Sequence, residues 1–280
     1  EEPDRRTEIS ARDRGALLHH ILYDFFRRLR ETGQLPVAAQ DCAALARVLR
    51  QVAETHLSAF ARTTATGFPL LWELEQERLH ERLQLLLRRE CEADDRFVPA
   101  AFAAYFGTDT AAEEHPVFPP GPVSFPLDTG EEIFLRGRID RIDLSRDQQR
   151  ARILDYKTGK APTGRFAGGM TLQLPLALFA ARRLRPDIVW ESGEYLYIDH
   201  LQKKPHSPFP DETWTETLAT LRAIVTALVQ SLRSGCFVST PSSCHACPFP
   251  VICGMHTEPY YARKLRDPRV YPLHEVKAIP

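Results

Sequence analysis

Two aspartates and a lysine in the middle of the chain have the types and spacing that metal-dependent phosphodiester hydrolysis needs. Residues 135–159 read as a strand, a polar turn and a second strand. Because side chains alternate along a strand, Asp155 and Lys157 share one face. Asp140 and Asp143 are an odd number of positions apart and should face opposite ways, so only one of them points into the same site.

Asp140 is the preferred partner of Asp155, because Gly137 lies three residues earlier, where the missing side chain lets a ligand or another backbone approach. Carboxylates and a backbone carbonyl, here that of Tyr156, are hard oxygen ligands that suit Mg²⁺ or Mn²⁺. Lys157 then orients water or stabilises developing negative charge. The alternative for any single aspartate is a solvated or salt-bridged acid. The Asp155-x-Lys157 set on an apolar strand instead favours the metal site.

The elements around these residues are predicted from periodicity. A helix over residues 11–31 places His19 at the border of its buried face and Gly15 one turn earlier, while His20 faces solvent. A structural histidine is the alternative reading of His19. Further helices over 36–62 and 68–91 form an insertion of about 36–107, and the prolines up to residue 126 exclude a central strand there.

The second half of the chain alternates between strands and helices. A glycine-rich connection at 160–169 leads to a helix over 170–184, a strand over 190–198, an exposed turn at 202–209 and a helix capped by Asp211 and ending near 234. This order predicts an α/β fold, a mixed central sheet flanked by helices. We expect one domain over 1–254, including a cysteine motif at 244–253, and a C-terminal extension over 255–280.

Composition limits the functional classes. The 280 residues carry a net charge of −1, so DNA binding must depend on local clusters such as Arg136, Arg138 and Arg141. The chain lacks a long apolar segment, which predicts a cytoplasmic protein without a membrane partner. Six cysteines in such a chain favour free thiols or metal ligands over disulfides, and we expect buried free thiols at Cys42 and Cys91. The first residue is not Met, which suggests a piece of a longer protein.

The segments GRIDRID (137–143) and DYKTG (155–159) resemble the core of the PD-(D/E)XK nucleases, specifically the RecB/AddB/Cas4-like exonuclease branch. The resemblance implies a restriction-endonuclease-like core and Mg²⁺- or Mn²⁺-dependent cleavage of DNA. It makes Asp140 and Asp155 metal ligands and Lys157 a catalytic residue. Gly15-x-x-x-His19 matches the helix motif that supplies a histidine to the metal in this family. The implied role is an exonuclease domain of a helicase–nuclease subunit, acting with a helicase partner in double-strand break repair and recombination.

Two further positions follow from the resemblance. The family has a glutamate shortly before the first sheet strand that supports the metal site, and Glu114 is the candidate here, with exposed loop acids as an equal alternative. A glutamine opens the helix after the metal strands in a Q-x-x-x-Y pattern. Gln173 matches it, but position 177 is Ala, so the aromatic contact of this pattern is lost.

Three cysteines near the end, Cys244, Cys247 and Cys253, form a C-x2-C-x5-C motif. Clustered thiolates select zinc or an iron–sulfur cluster. The motif resembles the C-terminal part of the iron–sulfur staple of AddB and Cas4 nucleases, which implies a 4Fe–4S cluster with a fourth cysteine upstream of the first helix. No cysteine precedes His19, so we expect the fourth ligand outside this sequence and an absent or incomplete cluster in this fragment. Zinc completed by His245 or His256, or thiols that bind no metal, are the alternatives.

Two other functional classes compete with the nuclease reading. One is a catalytically degenerate module that holds DNA within a helicase–nuclease complex, and the intact acids and lysine count against it. The other is a zinc-stabilised protein-interaction domain, which predicts stoichiometric zinc and no cleavage dependent on a divalent metal.

Overall fold

The computed structural model of the chain describes residues 7–93, 96–108, 117–159, 164–200, 206–236, 252 and 257–280. The α-helices within these ranges are α1 (Ala11–Glu31), α2 (Cys42–Thr63), α3 (Pro69–Glu92), α4 (Gln173–Leu184), α5 (Trp214–Arg233), α6 (Thr257–Lys264) and α7 (Tyr271–Ala278). The strands are β1 (Phe97–Phe106), β2 (Val123–Pro126), β3 (Glu132–Leu135), β4 (Gly137–Ser145), β5 (Arg150–Lys157), β6 (Val189–Tyr197) and β7 (His206–Pro210).

A five-stranded mixed sheet forms the centre of the molecule, in the order β1-β4-β5-β6-β7. Strands β5 and β6 pair parallel and are connected through α4, while the other three pairs are antiparallel. Strands β2 and β3 pair only with each other in a separate hairpin. The predicted α/β class with a mixed sheet is confirmed, as is the exclusion of the proline-rich segment from the sheet centre.

Helices cover both faces of this sheet. On one face, apolar stripes of α1, α2 and α3 pack around Phe102 and Tyr156 of the strands. On the other, α4, α5, α7 and the β2–β3 hairpin pack around Ile153 and Trp190. Both strand faces are apolar because both are covered, which gives three layers around two apolar clusters.

Sequence periodicity did not predict the strands whose formation depends on a partner strand far away in the sequence. Residues Phe97–Phe106 form β1, paired with β4, so the helical part of the expected insertion over 36–107 ends at Glu92. Residues 206–210 form β7 at the sheet edge, where an exposed turn at 202–209 was expected. Asp211 does not cap α5, because Thr213 is the N-cap residue and makes no side-chain cap bond. Instead, Arg182 Nη2 donates to Asp211 Oδ1 at 2.7 Å.

The prediction of free thiols at Cys42 and Cys91 is wrong. The two cysteines form a disulfide with a Cα–Cα distance of 6.0 Å, within the range that the bond requires. It links the start of α2 to the last turn of α3. The bond therefore closes the α2–α3 helix pair at one end.

The C-terminal residues pack onto the central core. Val276 of α7 is buried in the cluster around α4 and α5. The backbone N–H groups of Phe166 and Gly168 donate to the carbonyl oxygens of Pro280 and Ile279 at 2.8 and 2.9 Å. Through these bonds the chain end holds the segment that leads from β5 into α4. Within the described ranges, no helix is both long and apolar enough to cross a membrane.

Candidate active site

His19, Asp140 and the Tyr156 backbone meet where the pairing of β4 with β5 ends. The paired residues of the two strands run as far as Arg141 and Leu154. Just beyond them, the Tyr156 N–H donates to Asp140 Oδ2 at 3.2 Å. From α1, His19 Nδ1 lies 3.2 Å from Asp140 Oδ1, and Nε2 lies 2.9 Å from the Tyr156 carbonyl oxygen. One helix and two strands therefore position three of the predicted metal-binding groups.

Asp155, Lys157 and Gln173 form the neighbouring part of the site. The Lys157 ammonium pairs with Asp155 Oδ2, as the alternation along β5 predicted. At the first position of α4, Gln173 Nε2 donates to Asp155 Oδ1 at 2.9 Å, and Gln173 Oε1 accepts from Lys157 Nζ at 2.8 Å. The glutamine thus fixes both charged groups relative to each other.

Both ring nitrogens of His19 face oxygen acceptors, which sets the protonation of the ring. Burial disfavours the charged ring, but the hydrogen bond and negative charge of Asp140 outweigh this, and the pKa of His19 is raised. Two acceptors need two N–H donors, so the metal-free arrangement suits an imidazolium. When the ring is neutral, one of its nitrogen lone pairs faces an oxygen, a repulsion that a bound cation would relieve.

The two carboxylates are tuned in opposite directions. Burial acts to raise the pKa of Asp140, but the hydrogen bond and charge of His19 prevail and lower it. Burial and then the charge of Asp140 raise the pKa of Asp155 to about 7, despite the opposing effect of Lys157. Two buried acids close together do not both ionise readily without a cation. The pair therefore favours a divalent ion.

The donor set fits a hard divalent cation, although the side chains are not gathered around one point. Among the described residues, no three His, Cys, Asp or Glu side chains form a group that could hold a metal ion by themselves. Asp155 Oδ2 is buried and lies against the Lys157 ammonium. A carboxylate oxygen keeps a further lone pair beside one ion-pair partner, so it can also serve as a ligand. With Asp140, His19 and the Tyr156 carbonyl it supplies the groups that the sequence predicted.

Asp143 points to the opposite face, as the spacing indicated, and has a structural environment. Arg141 Nε donates to Asp143 Oδ1 at 2.5 Å, and Arg152 Nη2 donates to Oδ2 at 2.9 Å. Arg141 is itself buried and also binds Glu90 at 2.9 Å. Arg141 therefore belongs to an internal ion network, which excludes it from the exposed basic cluster with Arg136 and Arg138.

Gly137 does not make room for a ligand, so that argument for Asp140 was wrong. A Cβ at this position would lie 2.7 Å from the ring of Phe106 on β1. The absent side chain instead allows an aromatic ring of the neighbouring strand to pack against β4.

Several predicted residues lie outside the described ranges. These are Glu114 and the three cysteines of the C-terminal motif, Cys244, Cys247 and Cys253. Ala177, which replaces the family's aromatic residue in α4, is buried against the core. His20 is exposed, as expected.

Sequence reasoning missed two residues that support the site. Asp199 Oδ2 accepts from the Gly159 N–H at 2.9 Å and so fixes the backbone just after Lys157. Tyr195 of β6 lies beside Asp155 in the parallel register, with Lys157 Nζ 5.7 Å from its ring centre. Both come from β6 or the turn after it, and the alternation of β6 is the signal that favours Tyr195.

A family model of the PD-(D/E)XK nuclease superfamily matches residues 2–254. The chain belongs to the PD-(D/E)XK nuclease superfamily. This membership agrees with the mixed sheet flanked by helices and with the grouping of Asp140, Asp155 and Lys157 at its centre.

Parts of the nuclease-superfamily chain are similar to proteins that are each named as a subunit of an ATP-dependent helicase/deoxyribonuclease. The relative from Lacticaseibacillus casei is 31% identical over 170 residues, which cover 56% of this chain and 13% of the relative. The one from Desulforudis audaxviator is 30% identical over 155 residues, 54% of this chain and 12% of the relative. The one from Moorella thermoacetica is 39% identical over 77 residues, 26% of this chain and 7% of the relative. The chain thus spans a small part of these proteins.

Proposed function

We propose that the chain is a divalent-metal-dependent deoxyribonuclease domain that acts as an exonuclease. The observation that carries this proposal is the Asp140–Asp155–Lys157 group at the end of the β4–β5 ladder, with His19 beside it, in a member of a nuclease superfamily. Asp140, Asp155, His19 and the Tyr156 carbonyl hold Mg²⁺ or Mn²⁺. A divalent ion bound there lowers the pKa of water and neutralises charge on a phosphate.

Among the residues that do not bind metal, Lys157 is the one that acts directly on the reacting groups. Its ammonium is held by Gln173 Oε1 beside Asp155, where it can donate to the attacking water or to a phosphate oxygen as negative charge grows. Gln173 keeps the ammonium oriented without carrying charge. Asp199 acts on the backbone after Lys157, so it is a positioning residue rather than a catalytic one.

The wider assignment is drawn from the relatives. Their names, which describe ATP-dependent helicase/deoxyribonuclease subunits, support the proposal that this domain works on DNA with a helicase partner. We further propose that it does so in the cytoplasm, in double-strand break repair and recombination. We also propose that Cys244, Cys247 and Cys253 bind a 4Fe–4S cluster in the intact parent. Iron and sulfide analysis of anaerobically purified full-length protein distinguishes this cluster from zinc.

The nuclease proposal is tested by cleavage of end-labelled linear DNA with Mg²⁺ or Mn²⁺ and with EDTA. We expect metal-dependent release of nucleotides, and a loss of at least about 100-fold in rate for Asp155→Asn and for Lys157→Ala. Asp187→Asn, an exposed carboxylate paired with Arg185, is the matched control and should retain the wild-type rate. Degradation of linear but not closed circular DNA supports an exonuclease.

Cleavage that neither active-site substitution reduces would reject the catalytic assignment. Metal-independent DNA binding without any cleavage by the wild-type chain would favour the DNA-holding module instead. The first conclusion requires folded Asp155→Asn and Lys157→Ala proteins, and the second requires folded wild type, each checked by circular dichroism.

A further inference from the structure

A pocket of about 310 Å³ opens beside the candidate active site, between α1 and strands β1 and β4. His19 and Asp140 form its inner wall, so it is continuous with the groups proposed to bind metal. Its floor is apolar and consists of Leu22, Phe26 and Phe102, all buried. The volume lies at the lower end of the roughly 300–1,000 Å³ typical of ligand pockets.

Aromatic rings and a guanidinium form the rim of this pocket. Tyr23 and Tyr105 are 37% and 41% exposed, so their rings are accessible from solvent. The Arg138 side chain, 39% exposed, lies at the same rim and 3.8 Å from Asp140 Oδ1. An apolar floor, two accessible aromatic rings and a cation form a combination suited to a flat aromatic group attached to a phosphate.

The backbone of β1 is distorted at the same place. Ala103, which also lines the pocket, has a φ of +52°. It lies between the pairs Phe102–Arg141 and Ala104–Ile139, directly opposite Asp140. Alanine rarely adopts this left-handed conformation, and such departures concentrate at functional sites.

We propose that this pocket binds the unpaired base of the nucleotide next to the phosphodiester that is cleaved. The proposal rests on the proposed nuclease function and adds a base-binding subsite next to the metal-binding groups. In a duplex both faces of a base are covered by its stacked neighbours, so only an unpaired and unstacked base can enter a pocket. The base stacks on Tyr105 or Tyr23, and Arg138 lies near the backbone phosphate.

An abasic scan measures the contribution of a base at each position. Single-stranded oligonucleotides with one abasic site, moved stepwise along the chain, are cleaved by the wild type and by the Tyr23→Ala/Tyr105→Ala variant. We expect one position at which the missing base slows the wild type about tenfold, as loss of one stacked base implies. In the double variant that sensitivity should disappear, and blunt duplex should be cleaved more slowly than single strands by the wild type.

Matched variants separate stacking from general damage. Tyr23→Phe and Tyr105→Phe keep the rings and should keep the abasic effect. Phe134→Ala removes a 70% exposed ring on β3 that does not line the pocket, and should leave the scan unchanged. A flat scan in the wild type, or the same abasic effect in wild type and double variant, would overturn the proposal.

A second measurement does not depend on turnover. Oligonucleotides with single 2-aminopurine substitutions are titrated with protein in Ca²⁺, and stacking should quench the fluorescence at one position with the wild type but not with Tyr105→Ala/Tyr23→Ala. Quenching without any Mg²⁺- or Mn²⁺-dependent cleavage would support the base pocket and refute the nuclease function. Cleavage without position-specific quenching would refute the pocket alone.

Discussion

Asp143 and Asp155 are both buried carboxylates on adjacent strands, but their partners give them different roles. Asp143 lies between the guanidinium groups of Arg141 and Arg152, so its charge is fully compensated. Asp155 has one ammonium, that of Lys157, and one neutral amide, that of Gln173, as partners. Two guanidinium groups fix Asp143 as a structural acid, whereas the carboxylate of Asp155 keeps lone pairs for a ligand.

Asp143→Ala is therefore expected to destabilise the protein by about 3–5 kcal/mol, because it leaves the buried Arg141 without its closest counter-charge. Urea denaturation measures the free energy of unfolding. Asp155→Ala, on the next strand, is the comparison. It should lower the free energy of unfolding of the metal-free protein much less. Equal losses for the two variants would contradict the division between a structural and a functional acid.

The raised pKa of Asp155 predicts a pH dependence of the metal-free protein. The folded-state pKa of about 7 exceeds the unfolded value of about 3.9, so the stability from this group is present below pH 4 and is lost as pH rises through 7. Above pH 7 the ionised group costs up to about 4 kcal/mol. Asp155→Asn should match the wild type near pH 4 and exceed it at pH 8.

Thermal melts in EDTA at several pH values measure this difference, and Mg²⁺ should raise the wild-type melting temperature more at pH 8 than at pH 6. Parallel pH curves for wild type and Asp155→Asn in EDTA would contradict the assigned environment.

At the scale of elements, the periodicity of apolar residues correctly predicted the features that depend on contacts between residues close in sequence. The apolar stripe of α1 and the alternation of β5 gave the correct helix bounds and the correct faces of Asp155 and Lys157. Strands β1 and β7 were missed because each is defined by a pairing partner far away in the sequence. The disulfide was missed because cysteines in a chain expected to be cytoplasmic favour free thiols, and because only the packing of α2 on α3 brings together two cysteines 49 residues apart.

The Cys42–Cys91 bond is expected to stabilise the helix pair. Closing a loop of 49 residues removes about 4 kcal/mol of unfolded-state entropy in the chain-entropy model, and measured values run about 2–4 kcal/mol. Dithiothreitol should lower the unfolding free energy of oxidised wild type by this amount and leave Cys42→Ser unchanged. Cys236→Ser, which removes a free thiol, is the control. An unchanged wild-type stability on reduction would contradict a structural role for the bond.

At the scale of the whole molecule, the C-terminal helix and the approach to α4 form one unit. Gly169, with φ of +83°, packs against Val276 of α7, where a Cβ would lie 2.7 Å from a methyl carbon. The hydrogen bonds from Phe166 and Gly168 to the last residues continue this contact. The segment that delivers Gln173 to the site is therefore held by residues about a hundred positions later, a connection that no local pattern could reveal.

Gly169→Ala is expected to loosen this unit. The left-handed backbone costs alanine about 1–2 kcal/mol, and the clash with Val276 adds to it. Gly130→Ala is the matched control, because Gly130 has φ of +84° and nothing within 4 Å of an added Cβ. Hydrogen exchange should show faster exchange of the Phe166 and Gly168 amides, by at least about tenfold, in Gly169→Ala alone. Equal protection in both variants would contradict the proposed linkage.

The sequence was more informative about the residues of the candidate site than about the residues that position them. Residue types and spacing indicated Asp140, Asp155 and Lys157, and the family resemblance indicated His19 and Gln173; the structure brings all five into one region. Asp199 could not be predicted, since its role depends on how the turn after β6 meets the backbone after β5. The metal-binding roles themselves stay predictions.

Mn²⁺ binding at pH 8, followed by electron paramagnetic resonance of the free ion, tests the central claim most directly. We expect about one Mn²⁺ bound per chain at the site, with affinity reduced at least about tenfold in Asp140→Asn and in Asp155→Asn and unchanged in Asp187→Asn. Equal Mn²⁺ affinity in the wild type and both active-site variants would contradict the claim that these two carboxylates hold the metal.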